Sequence, residues 1–106
     1  MSVYVDDANI QASVPNGSRV HTSRWCHMTA DTTAELLAMA RRLRLNPAWM
    51  QHPGTPLEHF DLTAGKRAQA IRLGVMEITW REGAAQLSAK RDGRPFDLAA
   101  IRQAQR

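Results

Sequence analysis

Two kinds of hydrophobic pattern alternate along this chain, and together they predict a small α/β fold. Val3-Tyr4-Val5 is a β-rich run that predicts a strand close to the N-terminus. Apolar residues then recur at helical spacing between Leu36 and Leu43, which predicts a helix with one buried face. Residues 75–80 alternate between apolar and polar side chains and predict another strand. Strands separated by helices favour α/β units with some parallel pairing.

Capping signals define the first main helix. Thr32 and Glu35 have the spacing of a capping box, although Asp31 could be the N-cap instead. Asn46-Pro47 ends this helix, because the residue before a proline disfavours helical backbone.

A second main helix is predicted to begin after Thr63 and to run to about Leu73. Gly74 follows in the position that favours a left-handed residue after a helix. The predicted fold class is therefore α/β: a small single-domain sheet with some parallel pairing, two main helices and a C-terminal helical tail.

The remaining segments carry weaker patterns. Residues 9–23 include Pro15-Asn16-Gly17 and few large apolar side chains, which predicts a long loop. Residues 25–28 predict a short strand, and residues 84–90 predict a helix in which Leu87 is the only large apolar residue.

The end of the chain predicts a last helix beginning near Phe96. We divide the chain into an α/β domain, residues 1–81, and a C-terminal helical extension, residues 82–106. The extension either docks on the domain, contacts a second subunit in a homodimer, or frays.

The charge of the chain is carried mainly by arginine. The net charge is +4 and the pI is about 10.2, with Lys66 and Lys90 as the only lysines. Guanidinium groups suit phosphate and carboxylate recognition because each can bind two oxygens at once. A basic surface that only confers solubility explains the same charge, since net charge does not define a site.

Cysteine content and hydropathy bear on the compartment. Cys26 is the only cysteine, so no internal disulfide can form. No apolar run approaches the length of a membrane span, and the N-terminus lacks the pattern of a secretory signal. We expect a cytoplasmic protein that does not interact with membranes.

The segment His59-Phe60-Asp61, just before the second main helix, is the first candidate for a functional site. In an extended chain His59 and Asp61 point to one side and Phe60 points to the other, into a core. The segment therefore predicts an imidazole and a carboxylate beside a helix start. Such a pair is also common as a hydrogen-bonded structural element.

Other polar residues lie at predicted strand ends and helix starts. Asp6 follows the first strand, a position where ligands bind in open α/β sheets. A histidine could act as a general acid or base that a nearby aspartate orients. The catalytic candidates are His27, Asp31, His59 and Asp61.

A divalent metal cofactor is compatible with these residue types. Histidine and carboxylate groups bind zinc, manganese and similar ions. The metal-ligand candidates are Asp6, His27, His59 and Asp61. Their spacing matches no H-E-x-x-H, paired C-x-x-C or EF-hand motif, so no motif supports the metal.

Lys66 and Arg67 lie in the first turns of the second helix, where free N–H groups favour an anion. With Asp6 they form the predicted ligand-binding set for a phosphorylated molecule. A solvated helix face also accounts for both cations, and the chain contains no phosphate-binding loop motif. Cys26 neighbours His27 in a predicted strand, so it should be buried if His27 faces the site.

Several of these motifs occur together in one known family. Val3-Tyr4-Val5-Asp6-Asp7, the segment 26–32, Glu35-Leu36 and His59-Phe60-Asp61-Leu62 resemble the bacterial and phage family called domain of unknown function 4031. The resemblance covers most of residues 3–80 and implies no established activity. The chain departs from the family pattern at Leu37, where a histidine is usual.

Two functions follow from the sequence. The first is a His/Asp pocket that binds or hydrolyses a phosphorylated small molecule or nucleic acid, with or without a divalent metal. The second is a non-catalytic nucleic-acid- or protein-binding module in which arginines make the contacts and the His/Asp pairs are structural. A homodimer held by the C-terminal segment is compatible with both.

Overall fold

A computed structural model describes residues 2–8, 10–16 and 19–104, with only the backbone described for 10–16 and 19–23. Within these residues the chain forms an α/β fold, as predicted. The strands are β1 (Val3–Val5), β2 (Ile10–Asn16), β3 (Arg19–Ala30), β4 (Phe60–Thr63) and β5 (Met76–Glu77). The α-helices are α1 (Thr33–Arg42), α2 (Ala64–Arg72), α3 (Trp80–Arg91) and α4 (Leu98–Ala104), and Pro47–Trp49 forms a short 3₁₀ turn.

The long strand β3 organises the sheet. It pairs antiparallel with β1, β2 and β4, and β1 pairs parallel with β5. Met28 pairs with residues of both β1 and β4, and Trp25 pairs with residues of both β2 and β4. A strand residue has one partner on each side, so β1 and β2 lie along one edge of β3 and β4 lies along the other. The predicted parallel pairing is confirmed by the pair β1–β5.

Alternation along β3 and β4 separates an apolar face from a polar one. Cys26, Met28 and Ala30 of β3 and Phe60 and Leu62 of β4 are buried in the main core. Apolar residues of α1 and α2 complete this core: Leu36, Ala40, Leu43 and Ala70. The intervening residues of both strands therefore project from the opposite face.

The polar face of the sheet is partly covered by α3 and α4. Tyr4 packs there with Ile78, Leu98 and Phe96, and its ring meets that of Phe96 edge-on at 5.3 Å between centroids. Arg102 of α4 donates from Nε to Oε2 of Glu82 in α3 at 2.8 Å. These contacts hold the C-terminal segment against the domain.

The predicted caps of both main helices are confirmed. Thr32 caps α1 and accepts from the backbone N–H of Glu35, and Thr63 caps α2 and accepts from that of Lys66. Gly74 follows α2 with φ +95°, a conformation that glycine adopts without steric cost.

The prediction of a long loop over residues 9–23 was wrong. Strands β2 and β3 form a hairpin there, and Pro15 and Asn16 pair with Val20 and Arg19. Pro15 and Asn16 are the last residues of β2 and pair within the ladder, so these turn-forming residues do not mark a loop. Asn9, Gly17 and Ser18, which belong to the same prediction, lie outside the described residues. The short strand predicted over 25–28 is the second half of the 12-residue β3.

The alternating segment 75–80 is also shorter as a strand than predicted. Only Met76–Glu77 pair as β5, and α3 begins at Trp80 and not near residue 84. Thr79 caps α3 in a complete capping box with Glu82, and this local signal overrides the alternation. None of the described helices combines the length and apolar character needed to cross a bilayer.

Candidate functional site

The pairing of β3 with β4 brings the predicted site residues together. His27 lies directly opposite Asp61 in the ladder, so the two side chains project next to each other from the polar face of the sheet. His59 precedes β4 and is held by backbone bonds to Gln51 in both directions, at 2.8 and 3.1 Å. Ligand atoms of His27, His59 and Asp61 all lie within 4.8 Å of one another.

The Asp6 carboxylate contacts both the ring and the backbone of His27. Its Oδ2 lies 2.7 Å from Nδ1 of His27, and its Oδ1 accepts from the backbone N–H groups of His27 (2.9 Å) and Ala8 (3.2 Å). An ionised carboxylate can only accept, so Nδ1 of His27 carries the hydrogen. In the neutral ring the lone pair is then on Nε2, the arrangement found when a carboxylate orients a metal-binding histidine.

A local departure from regular pairing places the Asp6 carboxylate. Four residues of the sequence separate Val5 from Ile10, whereas only two separate their partners Met28 and Trp25, so regular pairing is interrupted here. Asp6 donates its N–H to the His27 carbonyl at 3.0 Å, but His27 returns its N–H to the Asp6 side chain. Extra residues of this kind redirect side chains near functional sites.

Arg67 supports this departure. Its Nε donates to the backbone carbonyl of Asp6 at 3.0 Å, and its Nη2 lies 3.5 Å from Oε1 of Glu77. The Asp6 carbonyl is thus satisfied outside the ladder, which frees the His27 N–H for the carboxylate.

The Asp6–His27 contact favours the charged form of both groups. Burial alone would raise the pKa of Asp6, but hydrogen bonds from the ring and backbone of His27 outweigh it, so this pKa is lowered. The hydrogen bond that His27 donates to Asp6 raises the pKa of His27, against a smaller opposing effect of burial. His27 therefore holds a proton to higher pH than an isolated histidine.

The imidazole ring of His59 directs its Nε2 atom toward Asp61. Its Nδ1 lies 2.7 Å from the carbonyl of Leu57, which can only accept, so Nδ1 carries a hydrogen. Its Nε2 lies 3.3 Å from Oδ1 of Asp61. In the neutral ring this places two acceptors 3.3 Å apart, and a proton or a metal ion between them would remove their repulsion.

The spacing fits a metal ion as well as a proton. Two ligands of one tetrahedral zinc, each at about 2.0–2.1 Å from the ion, are about 3.4 Å apart. The Nε2–Oδ1 distance of 3.3 Å matches that edge. When Nε2 of His59 carries a proton, its hydrogen bond to Asp61 lowers the pKa of that carboxyl group. A metal ion at this position would take the place of that proton between the His59 nitrogen and the ionised carboxylate.

Asp6, a predicted metal ligand, contacts His27 but does not belong to the group of His27, His59 and Asp61, and three further predicted site residues also lie outside that group. Both oxygens of Asp31 are engaged by the Ser2 N–H (2.9 Å) and the Tyr4 hydroxyl (3.0 Å) at the start of β1. Lys66 donates from Nζ to the Leu43 carbonyl at the end of α1, 2.7 Å away. Arg67 binds Asp6 as described, and both basic residues belong to α2, which packs on the apolar face.

Comparison with known proteins assigns the family. The family model described as "Protein of unknown function (DUF4031)" matches residues 3–90. The chain belongs to this family. Searches of curated proteins and of solved structures found no match.

In this DUF4031 protein a cavity adjoins the His/Asp group. It has a volume of about 520 Å³ and lies between the polar face of the sheet and α3. Asp6, His27 and His59 line one part of it, and Gln86 and Lys90 line another. Its volume falls within the range of small-molecule sites.

Sequence analysis missed the residues that α3 contributes to this DUF4031 cavity. Gln86 and Lys90 are four positions apart and share one helix face. The only available signal was the weak apolar stripe of this helix, whose inner face lines a cavity and includes Gln86 and Lys90.

Cys26 is buried on the apolar face, as expected for the neighbour of an outward-facing His27. Burial raises the pKa of its thiol to about 11, so little thiolate exists at neutral pH. Cys26 therefore adds no ready nucleophile to the His/Asp group of this DUF4031 protein.

Proposed function

We propose that this protein binds a divalent metal ion, zinc first among the candidates, through His27, His59 and Asp61, and uses it to hydrolyse a phosphorylated small molecule or nucleic acid. The observation that carries the proposal is the approach of His59 Nε2 to Asp61 Oδ1 at 3.3 Å while Nδ1 donates elsewhere. Two histidines and one carboxylate are a common ligand set of catalytic zinc sites, where a further position is left for water.

The protein groups have distinct roles in this proposal. Asp6 orients His27 and keeps its Nε2 available, and the Leu57 carbonyl does the same for His59. A bound zinc ion would supply a water with a pKa near 7 as the nucleophile. The adjoining cavity holds the substrate beside the ligands.

Metal titration of the purified apo protein tests the first half of the proposal. We expect zinc to bind with one-to-one stoichiometry in isothermal titration calorimetry, and His59→Ala and Asp61→Asn to abolish that binding. His52→Ala is the matched control, because the ring of His52 lies 6.1 Å from that of His59 but does not belong to the ligand group. Zinc affinity unchanged by His59→Ala and Asp61→Asn would contradict the metal site.

Hydrolysis of 4-nitrophenyl phosphate and bis(4-nitrophenyl) phosphate tests the second half. We expect zinc-dependent release of 4-nitrophenol from at least one ester, lost in Asp61→Asn and retained in His52→Ala. Zinc binding without hydrolysis of either ester would leave the metal site standing and remove the catalytic assignment.

The second candidate, a nucleic-acid-binding module, rests on one surface feature. Arg41, Arg42 and Arg44 are exposed at the end of α1, on the side of the sheet away from the cavity. If they bind nucleic acid, replacing all three with alanine abolishes association with a labelled oligonucleotide, and His59→Ala leaves it intact. The reverse outcome favours the metal site as the place where nucleic acid binds.

A further inference from the structure

Gln86 has an unsatisfied hydrogen-bond donor in the wall of the cavity. The residue is 2% exposed, and the Thr29 hydroxyl donates to its Oε1 at 2.7 Å. Its Nε2 is buried and has no acceptor among the described residues. A buried donor without an acceptor destabilises a fold by about 1–3 kcal/mol, so a side chain of this kind in a cavity wall indicates a missing partner.

Lys90 adds a cation to the same wall. It lies one helical turn beyond Gln86 and also lines the cavity. It forms no hydrogen bond or ion pair with any described residue, unlike Lys66, which donates to a backbone carbonyl. The two carboxylates that interact electrostatically with Lys90 are those of Glu58 and Asp31, and both already accept hydrogen bonds from other groups. Lys90 therefore presents a positive charge that no described residue of the cavity pairs with directly.

Another part of the cavity wall is apolar. Leu57 and Trp80 line the cavity and are 41% and 57% exposed, although both are large apolar residues. Ile78 and Leu87 continue this surface inside. Exposed apolar groups beside a concave site are typical of surfaces that bind the non-polar part of a ligand.

We propose that the cavity binds an organic ligand with a non-polar group and an anionic oxygen group, phosphoryl or carboxylate, whose oxygens accept hydrogen bonds from Gln86 and Lys90. The non-polar group lies against Leu57 and Trp80. The inference deepens the proposed function, on which it rests for placing the reacting bond near His59 and Asp61, but the recognition of the anion does not require the metal.

Binding of three small probes tests this recognition. Phenyl phosphate and benzoate carry the two anionic groups on one ring, and benzyl alcohol is the neutral analogue. We expect at least one anion to bind at least about tenfold more tightly than the alcohol, because a charged hydrogen bond contributes more than a neutral one. The side-chain amide resonances of Gln86 in a ¹H–¹⁵N spectrum should move on addition of that anion. The anion that binds more tightly identifies the ligand as a phosphoryl compound or a carboxylate.

Variants of the two donors locate the anion. Lys90→Met should weaken binding of the preferred anion about tenfold or more and leave benzyl alcohol unchanged. Lys66→Met is the matched control, since it removes the other lysine of the chain, and it should bind the anion like the wild type. Gln86→Met should also weaken binding of the preferred anion. The double variant Thr29→Val/Gln86→Met removes both partners of the buried bond and serves if the single variant folds poorly.

Two results would overturn the proposal: anions that bind no better than benzyl alcohol, or wild-type anion affinity in both Lys90→Met and the double variant. Failure of the metal site is distinguishable from failure of the anion site. Lys90-dependent anion binding in Asp61→Asn without zinc supports this inference even if zinc never binds. Zinc binding without any anion preference overturns this inference and leaves the metal site.

Discussion

At the scale of single residues, Asp6 contributes most to the geometry of the candidate site without belonging to the group of mutually close ligand atoms. Its two oxygens fix the backbone and the ring of His27 together. A histidine held through Nδ1 by a carboxylate has one defined tautomer when neutral, with Nε2 directed outward. We therefore assign Asp6 the role of a positioning residue.

Asp6→Asn should weaken zinc binding about 10–100-fold. The amide oxygen replaces Oδ1 as the acceptor of the two backbone N–H groups, which leaves the NH₂ group against Nδ1 of His27. That group donates, so the neutral ring shifts its hydrogen to Nε2 and loses the outward lone pair. Calorimetric titration with zinc measures the change.

Asp31→Asn is the control for this prediction. It makes the same chemical change at a carboxylate that binds Ser2 and Tyr4. We expect zinc affinity like that of the wild type. Equal loss of affinity in the two variants would indicate a general effect on the fold and would remove the specific role of Asp6.

At the scale of elements, the parts with strong local signals could be predicted from the sequence. Thr32, Thr63 and Gly74 are capping residues whose chemistry acts within one turn of the chain. The hairpin of β2 and β3 escaped prediction because its strands carry few large apolar residues and its turn signals suggest a loop. Helix α3 was underestimated because its inner face lines a cavity in which Gln86 and Lys90 interrupt the apolar residues.

The candidate site was predicted in part for the same reason. The shared face of His59 and Asp61 follows from alternation within one segment. The position of His27 opposite Asp61 depends on the register between β3 and β4, which are far apart in sequence. Local patterns do not define that register, so Asp31 could not be separated from His27 before the structure was known.

The junction of α3 and α4 supports a prediction about acid stability. Glu82 is 4% exposed and accepts from Arg102 at 2.8 Å and from the Thr79 backbone at 2.8 Å. The hydrogen bond from Arg102 lowers the pKa of Glu82 despite its burial. A carboxylate with a lowered folded pKa stabilises the fold above its unfolded pKa, near 4.5, and this contribution is lost as pH falls through the folded value.

Arg102→Met should therefore lower the thermal midpoint at pH 7, and the difference from the wild type should shrink as pH falls from about 5 toward 3. Thermal unfolding followed by circular dichroism measures both midpoints. Arg94→Met breaks an exposed ion pair with Asp92 and should change the midpoint little. A difference between Arg102→Met and the wild type that is independent of pH would contradict the role of the Glu82 carboxylate.

At the scale of the whole molecule, the proposed metal joins segments that are distant in the sequence. Its ligands come from β3, from the residue that precedes β4 and from β4 itself. An ion that binds only the folded arrangement stabilises it by about 2.7 kcal/mol at one hundred times its dissociation constant. For a chain of 106 residues this corresponds to a rise in thermal midpoint of roughly 10 °C or more.

The effect of zinc on stability should depend on pH in a defined direction. The pKa of His27 is raised by Asp6, so in the apo protein their pair stabilises the fold below the ordinary histidine pKa of about 6.5 and loses that contribution as pH rises through the folded value. Zinc requires the neutral ring and must displace this proton. The rise in midpoint caused by zinc should therefore be larger at pH 7.5 than at pH 5.5, whereas the stabilisation of the apo protein by Asp6–His27 changes in the opposite direction. Thermal scans with saturating zinc and with a chelator at both pH values measure the two changes in thermal midpoint.

Asp61→Asn is the control, and its thermal midpoint should show no rise with zinc at either pH. A zinc-induced rise equal at the two values, or larger at pH 5.5, would contradict binding of zinc through His27 and His59.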